Sequence, residues 1–147
     1  MIKAEPGKYS YASAGAGTGN HLGAEMLKAQ SGLDVVHVPY KGSTPSVVSV
    51  LSGDTLFSLV TVPSSLQHIE SGGLRALAVT TPNRVSALPD LPTLVESGHD
   101  VEIASVSGIL LPAGASADVV AELHEEFAKA TETESVRRCM PRSVPKG

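Results

Sequence analysis

The sequence predicts an α/β fold in which a mainly parallel sheet is flanked by helices. Two patterns carry that reading. Between residues 8 and 81, short β-branched or aromatic runs alternate with stretches of helical spacing, in the order β-α-β-α-β-α-β. The last run, LRALAVTT at 74–81, is almost continuously apolar, as expected of a strand covered on both faces.

KYSYAS (8–13) alternates aromatic and small residues and predicts the first strand. After a glycine-rich run, Leu22, Met26 and Ala29 fall at i, i+4 and i+7 and predict a helical stripe, with Ser31-Gly32 as its stop. DVVHVPY (34–40) is a β-branched strand ended by proline. TPSVVSVLSGD (44–54) predicts a helix with Val47, Val48, Val50 and Leu51 on one face, Pro45 in its first turn and Gly53 near its end. TLFSLV (55–60) is the next strand, and SSLQHIES (64–71) a short helix stopped by Gly72-Gly73. Past residue 81 the texture changes. TPNRVSALPDLPTLVESGHD reads as an irregular segment with a short helix near 93–97, and VEIASVSGILLP (101–112) as a long strand. ADVVAELHEEFAKATE (117–132) is amphipathic, with Val120, Leu123, Phe127 and Ala130 on one face, Ser116 as N-cap and Asp118 near the positive helix end. From about Arg138 no structure is expected.

Composition narrows the function classes. At 147 residues and 41% hydrophobic, the chain can bury one ordinary core. With no tryptophan and 3% aromatics, that core is built from Val, Leu, Ala and Ile. Eleven scattered basic residues against 15 acidic ones do not form a nucleic-acid footprint, so no nucleic-acid partner is expected. No apolar run approaches the roughly 18 residues of a membrane span. MIKAEPGKYS has no apolar h-region, so no signal peptide is expected. The lone Cys139 rules out an internal disulfide and a cysteine-based zinc cluster.

Residues 13–21 read SAGAGTGNH. Gly15, Gly17 and Gly19 can take positive φ and let a ligand approach the backbone. Successive N–H groups in such a loop, followed by a helix start, suit an anion. In parallel sheets ligand loops lie beyond the carboxyl ends of strands, so 13–19, 39–43, 61–64 and 80–83 should share one rim. A dinucleotide fingerprint fails, because Asn20 stands where the third glycine belongs. A P-loop fails, because residues 19–21 are Gly-Asn-His. The five histidines show no metal-ligand spacing. His21 stands at a helix opening, where it could donate to an anion or lie on the helix surface; the other four read as structural or solvated. Ser13 lacks a nucleophile elbow. Glu122, Glu125 and Glu126 sit on a solvated helix face. A glycine-rich turn that only lets strand and helix meet closely stays open beside the anion site.

Longer strings add to this. PGKYSYASAGAGTGNHLGAEML, VVHVPYKGSTPSVVSVLSGD, IESGGLRALAVT, ALPDLPTLVESG and GILLPAGASADVVAELHEEF together resemble the solute receptors of tripartite tricarboxylate transporters, the Bug-type periplasmic binding proteins. The resemblance runs from about Pro6 to Ala130. It implies a binding protein without catalysis or cofactor: a periplasmic-binding-protein type II-like lobe of a two-lobed clamp, here incomplete. It implies residues 1–100 as the second lobe, 101–132 as a strand and helix returning to the first lobe, and 133–147 as a disordered tail. Family chains carry a secretion signal and a first lobe ahead of this point. The implied ligand is a small di- or tricarboxylate, the implied partner a membrane permease, and the implied location the periplasm. Ser13 and Thr18 would supply hydroxyls, Gly15, Gly17 and Gly19 backbone donors, and His21, Tyr40 and Thr61 further contacts. The family usually has Asp or Asn near positions 60–61; Val60 and Thr61 stand here, which disfavours ligands with an ammonium group. An apolar face on 117–132 without its lobe is expected to fold back or to self-associate through residues 101–130. The rival reading is a small anion- or phosphate-binding enzyme domain, which would need a converging acid, base or metal ligand on the rim.

Overall fold

The computed structural model describes residues 2–104, 108–134 and 136. Three parallel strands form the sheet: β1 (Ser10–Ser13), β2 (Val36–Pro39) and β3 (Phe57–Ser58), in the order β2-β1-β3. Tyr11 pairs with His37 on one side and with Phe57 on the other. Successive side chains on β1 point to opposite faces, yet Tyr11, Ala12 and Ser13 are all wholly buried, so both faces of the central strand are covered.

The helix α1 (Gly19–Ser31) crosses from β1 to β2. Thr18 caps it through its side chain, and Gly32, at φ 61°, ends it in the left-handed conformation as the sequence predicts. The buried face is not the expected stripe. Leu22 and Met26 are exposed, while Gly23 and Ala24 are buried. A Cβ on Gly23 would lie 2.8 Å from Ile103 Cδ1 and 2.9 Å from Leu59 Cδ2, so the smallest side chains of the helix face the tightest space. Ala24 packs with Tyr11 and Val35 at the heart of the core, flanked by Ile2, Tyr9, Phe57 and Leu59.

The helix α2 (Ser43–Ser52) crosses from β2 to β3. Val47 is buried as expected, but Val48 and Leu51 are exposed, and Ser46 and Ser49 take the inner positions. Burial of these hydroxyls is tolerated because each is bonded: Ser46 Oγ to Ser43 O, Ser49 Oγ to Ser46 O, and Ser49 Oγ to Thr55 Oγ1 at 2.8 Å. After β3, α3 (Val62–Glu70) starts two residues ahead of its expected position, with Pro63 in its first turn.

Beyond α3 the expected strands do not form. In 74–81 only Val79 makes a bridge, to Thr93, and Leu77 is exposed. Thr80 is tied to Ile103 through a backbone and a side-chain bond. The expected short helix near 93–97 is a single turn with a reciprocal cap: Thr93 Oγ1 accepts from Glu96 N, and Glu96 Oε2 from Thr93 N. In 101–112, Val101 is buried, while Ile109 and Leu110 are exposed and the described residues form no strand. An apolar run becomes a strand only where a neighbour offers its hydrogen bonds, and none of the described strands flanks these segments. The helix α4 (Ala117–Glu132) is capped by Ser116 as predicted, yet none of its residues is buried. Most of the expected tail, with Cys139, lies outside the described residues.

Candidate functional site

The rim of the sheet is built from three strand ends. Because β1, β2 and β3 are parallel, the segments that follow them leave the same edge. Tyr40 N–H donates to Ser13 O at 3.0 Å and Gly42 N–H to Ala14 O at 3.0 Å, which continues the ladder past both strands and sets Tyr40 beside the glycine loop. Thr61, exposed, stands at the N-cap position of α3 without a side-chain cap bond, and its Oγ1 lies 3.1 Å from Ser64 Oγ. The fourth expected rim segment, 80–83, follows no strand and is bound instead to Ile103.

The glycine loop is folded on itself. Gly15 has φ 137° and would bring a Cβ to 3.4 Å from Tyr40 O, and Gly17 has φ 78°; side chains at these positions would be strained. Ser13 Oγ accepts from Gly15 N–H at 3.1 Å, lies 3.2 Å from Gly15 O and 2.6 Å from His37 Nε2. Thr18 Oγ1 donates to Gly15 O at 2.7 Å and accepts from His21 N–H at 3.4 Å. Gly17 N–H donates to His21 Nδ1 at 3.1 Å. The N–H groups of Gly15, Gly17 and Thr18 are therefore committed inside the loop. Those of Gly19 and Asn20, in the first turn of α1, have no intrahelical acceptor and none among the other described residues.

Under this loop lies a row of rings that the sequence does not announce. Phe57, Tyr11 and His37 are neighbours across the three strands, with ring centroids 5.5 Å and 4.9 Å apart, and His21 from α1 stacks on His37 at 4.1 Å. Tyr11 donates to Glu25 Oε1 at 2.6 Å, and Lys28 pairs with the same carboxylate at 2.8 Å. Burial pushes the Tyr11 hydroxyl well up, helped by its bond to Glu25. The Lys28 and Tyr11 bonds hold the Glu25 carboxyl below its ordinary range. Burial, reinforced by nearby His21, pushes His37 down. His37 is thus partly buried, stacked and bonded to Ser13 rather than solvated, and only the β1/β2 register reveals it.

Ser13 Oγ and His37 Nε2 stand at the distance of a nucleophile and its base. Ser13 is wholly buried, however, and its oxygen is engaged with the loop, so it cannot reach a substrate in this arrangement. Among the described residues no group of three or more His, Cys, Asp or Glu could hold a metal ion. No helix among them is long and apolar enough to cross a membrane. The rim presents backbone donors and hydroxyls in front of a helix start.

A family model for the tripartite tricarboxylate transporter family receptor matches residues 1–143. The chain belongs to this family. A relative from Pseudomonas sp. strain P51, a UPF0065 protein in the tcbD-tcbE intergenic region, is 38% identical over 127 residues, 85% of this chain and 38% of the relative. Among solved structures, R. palustris Rpa4515 with adipate is 29% identical with a TM-score of 0.89, covering 97% of this chain and 49% of its own. The periplasmic binding protein BugD is 32% identical with a TM-score of 0.85, covering 95% and 47%. The family fold is therefore that of periplasmic solute-binding proteins, and the chain spans about half the length of these solved receptors. The matched region includes the glycine loop, the ring row and both α1 and α2.

Proposed function

We infer that this chain is a lobe of a periplasmic receptor that captures a small carboxylate without chemical change and presents it to a membrane permease. The observation that carries the reading is the rim itself: a self-braced glycine loop, the free first-turn N–H groups of α1, and hydroxyls at the end of a neighbouring strand, with no acid or metal cluster converging on them among the described residues. Family membership and adipate in the R. palustris relative support it. Residues 1–100 would form the second lobe, which bears the rim, and 101–132 would return to the first lobe.

Gly19 N–H and Asn20 N–H are the primary carboxylate donors, joined by Thr18, His21, Tyr40 and Thr61. In the free protein Gly15, Gly17 and Ser13 shape the loop around them. Titrating the ¹⁵N-labelled chain with adipate tests this. Amide shifts at 15–21, 40–42 and 61 are expected, with millimolar dissociation constants, because a single lobe cannot enclose the ligand. Absence of any shift in the loop would overturn the reading. Val60 and Thr61 offer no carboxylate to an ammonium group, and an unpaired buried ammonium costs roughly 1–3 kcal/mol or more. Glutarate should therefore bind more tightly than glutamate.

A further inference from the structure

The glycine loop is held at both ends by imidazoles. His37 grips Ser13 Oγ, which braces Gly15; His21 Nδ1 accepts the Gly17 N–H at 3.1 Å. The two rings stack at 4.1 Å. The second bond fixes a protonation state. Nδ1 accepts only with a free lone pair, so His21 is neutral here and carries its proton on Nε2. Adding a proton turns Nδ1 into a donor. Two donors would then face each other across the same 3.1 Å, and an oxygen accepting from both relieves the repulsion. We propose that the carboxylate enters the glycine loop together with a proton on His21, so that Gly17 N–H and His21 Nδ1–H, bonded to each other in the free protein, both donate to the bound ligand.

The proposal rests on the carboxylate reading of the rim. It assigns the proton to His21 because His37 is the poorer site: it lies deeper, its Nε2 is engaged with Ser13, and burial and His21 both disfavour its charge. Stacked rings 4.1 Å apart do not both become cations readily. The other groups facing the pair are Tyr11 from β1 and Glu25 and Lys28 from α1. Tyr11 is neutral and bonded to Glu25, and Glu25 and Lys28 neutralise each other, so the arriving anion is the charge that draws the proton. Coupling is reciprocal. Ligand raises the proton affinity of His21, and affinity for ligand is full while His21 is protonated and falls as pH rises through its titration, by up to about tenfold per pH unit for one coupled proton.

The test is a nuclear magnetic resonance titration of the full chain between pH 6 and 8.5, where an adipate carboxylate is largely ionised. In the free protein the Gly17 amide should move with the His21 titration, and the ring should show the Nε2–H form at high pH. Adipate should raise the His21 midpoint, and its dissociation constant should rise with pH by several-fold or more. His21→Asn keeps an acceptor beside Gly17 but cannot titrate, so its adipate binding should be weaker at pH 6 and flat with pH. Equal adipate affinity at both ends of the range, with an unmoved His21 midpoint, would overturn the proposal and leave the carboxylate reading standing. A Gly17 amide indifferent to His21 would overturn it without any ligand. Failure of adipate to shift the loop at any pH would overturn the carboxylate reading, and the proposal with it.

Discussion

Residues 10–70 and residues 74–132 carry similar apolar patterning and behave differently. In the first region Tyr11 and Ala12 are fully buried and every crossover helix has an inner face. In the second, Val79, Val85 and Val101 are buried, but Leu110 is 91% exposed, Phe127 45%, and α4 buries nothing. The difference does not lie in helix formation, since α4 is the longest helix described and is capped at its start. It lies in whether a second surface is present to cover the apolar side. A hydrophobic pattern specifies a face; a neighbour makes it a core.

The largest test of this contrast is truncation of one ring in each region. Tyr11→Ala removes the stacks with His37 and Phe57, leaves Glu25 short of a partner and opens a cavity under β1. A cost of about 3–5 kcal/mol is expected in urea denaturation. Phe127→Ala should cost less than about 0.5 kcal/mol, because the ring is half exposed already. Comparable costs would mean that α4 packs against something in solution.

Hydroxyl deletion should follow the same division at smaller size. Ser49→Ala strips buried Thr55 of its 2.8 Å partner, which should cost roughly 1–3 kcal/mol even though alanine is the better helix former. Thr131→Ala in α4 removes only a local bond to Ala128 O at the surface and should be neutral or slightly stabilising in the same denaturation series.

Acid should distinguish the regions next. His37 is pushed down in the folded protein, so the unfolded chain binds the proton more readily. Stability is then full above the ordinary imidazole value of 6.5 and is lost as pH falls below it toward the folded value. Glu25, pushed down too, adds a loss at lower pH, as the unfolded carboxyl takes up its proton first. The cooperative midpoint of the sheet region should fall between pH 7 and 5, and His37→Gln should flatten the upper part of that slope. Helicity of α4, whose Lys129 pairs with Glu125 and Glu126 in solvent, should not follow it.

How much of this the sequence discloses depends on how local the information is. Helix ends are written within four residues, and Ser116, Gly32 and Gly53 act where their types and positions suggest, while Thr18, expected to offer a hydroxyl to the ligand, caps α1. The glycine loop is local as well. The face of α1 is not: Leu22 and Met26 mark a helix but not its buried side, because the tight space at Gly23 is set by Leu59 and Ile103 far along the chain. His37 joins the site only through the pairing of β2 with β1 and the stacking of His21 from α1. The strands expected at 74–81 and 101–112 have the right residues, but their pairing among the described residues stops at the Val79 bridge to Thr93 and the Thr80 bonds to Ile103. The family was legible for another reason, since strings such as VPYKG and IESGGLRALAVT keep their identity whatever structure they adopt.

An uncovered apolar side should also find company. Val119, Val120 and Phe127, with Ile109 and Leu110 ahead of them, leave apolar area in solvent on residues 101–130. Weak self-association through this region is expected in light scattering at rising concentration, and Phe127→Asp should reduce it while leaving the unfolding midpoint of the sheet region in place. A variant that associates as the parent does would point to Leu22 and Met26 on α1, the other exposed apolar stripe.

The smallest effect separates the regions most cleanly, because the two sites match in geometry. Thr18 caps α1 by accepting from His21 N–H at 3.4 Å, and Ser116 caps α4 by accepting from Val119 N–H at 3.4 Å. Replacing an N-cap hydroxyl residue by alanine costs about 1 kcal/mol of helix stability. In α1 that loss reaches the core, since the helix lays Gly23 and Ala24 against Leu59, Ile103 and Tyr11. Thr18→Ala should lower the cooperative unfolding midpoint, and Thr18→Ser, which keeps both the cap and the bond to Gly15 O, should restore most of it. In α4 the same loss has nowhere to go. Ser116→Ala should reduce the helical circular-dichroism signal by fraying the first turn and leave the midpoint unchanged. A fall in midpoint equal to that of Thr18→Ala would show that α4 contributes to the cooperative unit, and the contrast between a covered and an uncovered helix would fail.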